Sequence, residues 1–191
     1  MPIDSEMTPI KIIFEGPDRV GKGTQIQLLQ TWLWRNWCIT PHVVHFSNIK
    51  GIYPEEARTY SYHLYKEMFQ FWGTNQIPLI YDRSHIGEAV YGPLYRGYDA
   101  NFIYELEAEN KESLWNTYLI TLINSPSELL LREDGQSLRK ENEDQSKMKK
   151  AEIDKFKKAT MRSNISRKKI IDCKGKTPEQ VHEEIIKFIQ S

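Results

Sequence analysis

Residues 11–25, KIIFEGPDRVGKGTQ, constrain this chain more than any other stretch. A short apolar run ends at Gly16, and Gly21-Lys22 follows after four residues. A helical stripe of Ile26, Leu29, Leu33 and Trp37 comes next. Strand, turn and helix in that order make an anion site: the first helical N–H groups lack partners, and the helix dipole favours negative charge. Gly16 and Gly21 allow the tight turn and a close approach of phosphate. Lys22 is spaced to reach the outer phosphates of a nucleotide. The nucleotide contacts expected of this loop are Gly16, Pro17, Asp18, Arg19, Val20, Gly21, Lys22, Gly23 and Thr24. The usual motif follows its lysine with a hydroxyl for Mg²⁺, but here the position is Gly23. Either Thr24 takes that part or the metal is held largely through water.

The rest of the chain alternates strand and helix patterns. Residues 42–46, 78–82, 117–123 and 168–173 read as further strands, with 11–15 the first. Residues 24–37, 54–72, 100–113 and 177–190 read as helices, and 125–134 as a short one opened by Ser before Pro. Pro54-Glu55-Glu56 makes a good first turn. Thr177, Pro178 and Gln180 form a capping-box pattern. Residues 132–167 are mostly charged, and 147–158 within them predict an exposed helix with Met148, Ile153 and Phe156 as a thin apolar face. The alternation implies an α/β fold: a five-stranded parallel sheet with helices on both faces, in three layers. Ligands of such sheets sit at the carboxyl ends of the strands. Gly16, Asp82 and Asn124 fall there.

The 191 residues suffice for one domain with a sizeable core. Lys+Arg and Asp+Glu balance at 26 each, which argues against an extended basic surface for nucleic acid. Cys38 and Cys173 suggest no disulfide framework and read as buried small hydrophobes in a reducing cytoplasm. No apolar run approaches the roughly 18 residues of a membrane span, and the first residues lack a signal pattern. The histidines and cysteines show no metal-ligand spacing.

The segment FEGPDRVGKGTQ resembles the thymidylate kinases, whose loop reads FEG-x-D-x-x-GK-[ST]-TQ. Asp18-Arg19 is similar to the eukaryotic and viral branch, and GKGTQ to the adenylate kinases. LIYDRSHIGEAVYG (79–92) resembles the family's DRY-x-x-S-x-x-AYQ segment, with departures at Ser84, Gly87, Glu88 and Gly92. VYGPLYRG is similar to phage-encoded members, and residues 169–185 to the family's closing strand and helix. The family's Pro and Arg after strand two are missing from residues 45–51, as is the arginine on the next helix, where Lys66 is the nearest cation.

The resemblance implies a single P-loop nucleoside monophosphate kinase domain over 1–191, with a lid at about 132–158. It implies transfer of the γ-phosphoryl group of ATP, with Mg²⁺, to dTMP or a related or modified deoxynucleoside monophosphate. Lys22 would neutralise the terminal phosphates. Arg19 would act as an arginine finger in cis, and Arg83 would hold the acceptor phosphate. Asp18 would accept from the sugar 3′-hydroxyl. Asp82 and Thr24 are the expected metal contacts. Phe69, Ser84, Glu88 and Tyr91 are the expected acceptor contacts, with Tyr65 a second stacking platform and His85 lining the pocket. Arg132 and Arg139 are the expected lid contacts to ATP. The resemblance also implies a homodimer in the (host) cytoplasm. A deoxynucleoside kinase, for which Asp82-Arg83-Ser84 fits, and a P-loop ATPase or nucleotide-binding regulator remain the alternatives.

Overall fold

A computed structural model of the chain describes residues 9–46, 53–135, 137 and 144–191. Five strands form one all-parallel sheet: β1 Lys11–Glu15, β2 His42–His45, β3 Leu79–Asp82, β4 Thr117–Ile123 and β5 Arg167–Asp172. Their order is β2-β3-β1-β4-β5. The chain leaves β1 toward one edge, then crosses past β1 to build the other side. The crevice at the carboxyl end of β1 is therefore the switch point where such sheets bind ligands.

Alternate residues of the central strands feed two cores. Ile12, Phe14, Ile80, Ile120 and Leu122 pack with α1 (Lys22–Trp37) and α7 (Pro178–Ile189). Ile13, Leu79, Tyr81 and Leu119 face α2 (Pro54–Thr74), α3 (His85–Tyr91), α4 (Phe102–Glu109) and α6 (Gln145–Arg162). A short α5, Pro126–Leu131, follows β4 with Ser125 as its N-cap, its hydroxyl accepting from Glu128 N. Thr177 and Gln180 close the expected capping box at the start of α7.

Three features differ from the sequence pattern. Residues 85–96, to which no element was assigned, form α3 and a π-helical turn, Gly92–Arg96, ended by Gly97 at φ 76°. The pattern was hidden because α3 is buried on nearly every side, which erases a polar face. The helix over 147–158 is not thinly packed. Lys149, Glu152, Ala159 and Thr160 are buried alongside Met148, Ile153 and Phe156, because α6 lies against α3, β4 and α5. Lys149 and Glu152 are paired inside, while Lys147, Lys150, Asp154, Lys157 and Lys158 stay exposed. Cys173 is buried as expected, but Cys38 is exposed, at the left-handed C-cap of α1.

Candidate active site

The loop after β1 wraps tightly around its own backbone. Gly16 stands at φ 133°, and a Cβ there would run into the carbonyl oxygen of Leu122 on β4. Gly21, at φ 105°, is the N-cap of α1 and makes no side-chain cap, so the first helical N–H groups open into the loop. The Lys22 ammonium is buried and folds back to donate to the carbonyls of Gly16 (2.8 Å) and Pro17 (2.9 Å). Burial, and next the Arg83 charge, pull its pKa below the ordinary lysine value. An incoming phosphate would relieve both effects by supplying the missing negative charge. A Cβ at Gly23 would meet nothing within 4 Å. Packing therefore does not exclude a hydroxyl after the lysine. Thr24 follows on the exposed side of the first turn.

Arg83, one residue past β3, faces this loop. Its backbone is left-handed at φ 68°, a conformation a non-glycine residue rarely adopts. Its guanidinium is ion-paired with Asp18, across 65 positions of sequence. Burial alone would raise the Asp18 carboxyl, but the Arg83, Lys22 and Lys149 charges outweigh it and hold it below its ordinary value. Arg19, also left-handed at φ 67°, pairs with Asp134 beyond α5, so the loop already touches the expected lid segment.

Asp82 closes β3. One of its oxygens is 2.9 Å from His45 Nδ1 and the other is buried without a hydrogen-bond partner. An orphaned oxygen on a partly exposed carboxylate beside a phosphate loop suits a divalent cation that keeps most of its waters. The residues therefore fit Mg²⁺. His45 thereby orients the Asp82 carboxylate.

The residues expected on the acceptor side are mostly buried. Phe69 is fully buried, its ring edge-on to Trp72 at 5.1 Å and His85 at 4.9 Å, so it is core and offers no stacking face. Aromatics at helical spacing do not announce which of them face a cavity. Tyr65 is buried as well, with its hydroxyl donating to Ser84 O. Ser84 turns its hydroxyl inward to His85 Nδ1 (2.8 Å) and Met68 Sδ. His85, fully buried, does not line a pocket. Its Nε2 meets Glu107 Oε1 at 2.8 Å, and Glu107 also accepts from Ser163 Oγ and Asn164 N. Glu88 is buried and already bonded to Arg96 and Tyr98. Tyr91 is buried against Phe156, its hydroxyl without a partner and within range of the Asp18 and Arg83 charges.

Arg132 is exposed and pairs with Glu128 at 3.5 Å, away from the loop's described contacts. Arg139 lies outside the described residues. The structure adds residues the sequence did not single out. Lys149, on α6, is buried with its ammonium 3.2 Å from Glu152 Oε1 and 3.8 Å from Glu133 Oε2, near enough to act on Asp18. Arg96 brings a cation from the π-helical turn. Glu15, the last residue of β1, is fully buried beneath the loop.

The site is thus one cleft at the switch point, with an anion-binding loop on one wall and the half-buried Arg83 on the other. The sequence matches no protein-family model and no curated protein. The fold is shared with solved structures. One is a thymidylate kinase from Ehrlichia chaffeensis, 20% identical at TM-score 0.60, over 96% of this chain and 99% of that one. A thymidylate kinase from Candida albicans is 16% identical at TM-score 0.62, over 96% and 92%. The YorR protein from Bacillus subtilis, solved in complex with phosphorylated GDP, is 16% identical at TM-score 0.62, over 94% and 95%. The five-stranded parallel sheet flanked by helices is the P-loop NTPase fold that the two thymidylate kinases share.

Proposed function

We propose that the chain is an ATP-dependent deoxynucleoside monophosphate kinase, a single domain acting on dTMP or a closely related or modified monophosphate. One observation carries the reading: Arg83 and the phosphate loop face each other across the cleft, joined by the Asp18–Arg83 ion pair. Two phosphate-binding elements at that separation serve a donor and an acceptor. A nucleotide switch or an ATPase needs the loop alone.

In the proposed reaction, an acceptor phosphate oxygen attacks the γ-phosphorus in line. The bond to the β,γ-bridging oxygen breaks, and ADP leaves with its electron pair. The protein supplies position and positive charge rather than covalent chemistry. Lys22 swings from the Gly16 and Pro17 carbonyls to the terminal phosphates. Arg19 leaves Asp134 and bridges donor and acceptor. Arg83 exchanges Asp18 for the acceptor phosphate, which frees Asp18 for the sugar hydroxyl. Asp82, steadied by His45, and Thr24 would hold Mg²⁺, which neutralises the donor phosphates when bound. Residues from about 132 to 158, with Arg132 and Arg139, would close over ATP and exclude water. The likeness of VYGPLYRG to phage-encoded kinases supports a viral member acting in a host cytoplasm; the resemblance to the thymidylate kinases suggests a homodimer.

The test is a coupled ADP-release assay with ATP-Mg²⁺ against dTMP, dUMP, dGMP, dAMP, dCMP, the ribonucleotides and free thymidine. Turnover with one or a few deoxynucleoside monophosphates, lost in Arg19→Ala and Arg83→Ala, is the expected result and names the base. Turnover with thymidine alone would make the enzyme a nucleoside kinase. Turnover indifferent to acceptor would make it an ATPase.

A further inference from the structure

Glu15 has no part in the mechanism above, yet it is the most buried acidic group near the cleft. It is inaccessible to solvent, at the end of the central strand, one residue before the loop. One carboxylate oxygen accepts two backbone N–H groups from the neighbouring segment, Ser84 N at 2.7 Å and Gly87 N at 3.0 Å. The other oxygen has no hydrogen-bond partner and lies where a Cβ on Gly87 would come within 3.2 Å. Both donors belong to the first turn of α3. Ser84 occupies the N-cap of that helix but makes no cap of its own, because its hydroxyl is committed to His85. Glu15 therefore caps α3 from another strand.

Arg83 sits between the two. β1 and β3 pair in parallel with Phe14 opposite Asp82, so Glu15 is level with Arg83. The Arg83 N–H donates to Phe14 O at 2.9 Å, and its left-handed backbone then turns Ser84 N back toward Glu15. A residue with a Cβ relaxes out of that conformation unless its neighbours hold both flanking peptides. Phe14 O holds the peptide before Arg83, and Glu15 the one after it.

We propose that Glu15 is a positioning residue that holds Arg83 in its left-handed conformation, aiming its guanidinium at the acceptor phosphate. The proposal rests on the kinase reading above. It ties the acceptor arginine to the strand that carries the donor loop, so the two phosphate sites share one rigid support. Glu15 touches no substrate.

The experiment measures KM for ATP and for the preferred monophosphate in wild type, Glu15→Ala, Glu15→Gln, Arg83→Ala and the Glu15→Ala/Arg83→Ala double variant. Each protein's melting temperature is taken as well. Glu15→Ala is expected to raise the acceptor KM about tenfold or more, since small misplacements of a positioning group carry such costs, with the ATP KM within about threefold of wild type. Glu15→Gln, which keeps the accepting oxygen, recovers most of that loss. The double variant exceeds Arg83→Ala by less than about threefold, because both changes remove one contact. Equal increases in both KM values, or additive effects, overturn the positioning role and leave Glu15 a general support of the loop. Should Glu15→Ala fail to fold, Gly87→Ala carries the test. It crowds the carboxylate while favouring helix, so the acceptor KM rises without a lower melting temperature, and an unchanged acceptor KM overturns the proposal. A wild type that turns over no monophosphate defeats the kinase reading, and the positioning role with it.

Discussion

Charged side chains in this cleft are held by one another, and the strength of each pairing decides what it does. Arg19 and Asp134 are both about a third or more exposed, so their pair contributes about 0–1 kcal/mol and weakens with salt. Arg19 is therefore free to leave it for a phosphoryl group. Asp134→Asn is expected to change kcat by less than about fivefold, in keeping with so weak a pair, whereas Arg19→Ala lowers kcat by about 10³-fold, as for an arginine finger. Similar losses in the two variants, measured at saturating substrates, would mean that Arg19 works by closing the lid. Glu15 belongs to the other extreme. Burial pushes its carboxyl up to about 8, against the Gly87 and Ser84 N–H groups and the Lys22 and Arg83 charges. A folded pKa raised from an ordinary 4.5 contributes stability that is complete below 4.5 and is lost as pH rises through about 8. Relative to Glu15→Gln, which does not titrate, the nucleotide-free wild type should lose several °C of melting temperature between about pH 5 and pH 9. A parallel pH dependence in the two proteins would show that Glu15 is ionised throughout. At this scale the loop residues were legible because their chemistry is local: Gly16, Gly21 and Lys22 define a phosphate cradle by spacing alone. The partner of Arg83 was not, since Asp18 is 65 positions away. Glu15 was missed for the same reason. A strand-end glutamate looks like any solvated one until the fold buries it.

Elements were legible where one face met water. The amphipathic α7 and its capping box matched the pattern, and the five strands fell where apolar runs ended in turns. The failures were elements buried on several sides. The α3 helix has no polar face to set a period, and the charges of α6 were taken as solvated when Lys149 and Glu152 are a buried pair. This difference has an energetic consequence. If α6 were an exposed lid helix, truncating its apolar residues would cost little. Phe156 is instead fully buried, with its ring against Tyr91 at 5.6 Å. Phe156→Ala should cost about 3–5 kcal/mol, which lowers the melting temperature by roughly 6–20 °C in a chain of this size. A shift of only a degree or two in a thermal melt would restore the picture of a loosely attached helix. The same substitution removes the wall behind Tyr91, so the acceptor KM should rise more than the ATP KM in the fraction that remains folded.

On the scale of the whole molecule, the cleft is self-neutralised before any nucleotide arrives. Asp18 answers Arg83, Asp134 answers Arg19, Glu88 answers Arg96, and Glu152 answers Lys149. The chain as a whole is balanced as well, with 26 basic and 26 acidic residues. Long-range steering of an anionic nucleotide is therefore weak, and affinity must come from exchanging internal ion pairs for phosphate contacts. Each exchange releases a carboxylate, so the donor's negative charge is not fully cancelled by the protein alone. Added positive charge can sit at the unpartnered oxygen of Asp82, whose side chain, unlike that of Glu15, reaches solvent. Chelation of Mg²⁺ should then abolish turnover. Asp82→Asn should raise the Mg²⁺ concentration for half-maximal rate about tenfold, the cost of losing one charge-assisted contact of about 1.4 kcal/mol or more. Monophosphate binding to the metal-free protein should stay within about twofold, because Arg83 reads the acceptor independently of the metal. Gly23→Ser tests the same point from the loop side. There is open space for the new hydroxyl, so the Mg²⁺ requirement should fall several-fold if the metal sits beside the first turn of α1. A Mg²⁺ titration unchanged in both variants would place the metal on the nucleotide and water alone, with Asp82 serving only to hold His45.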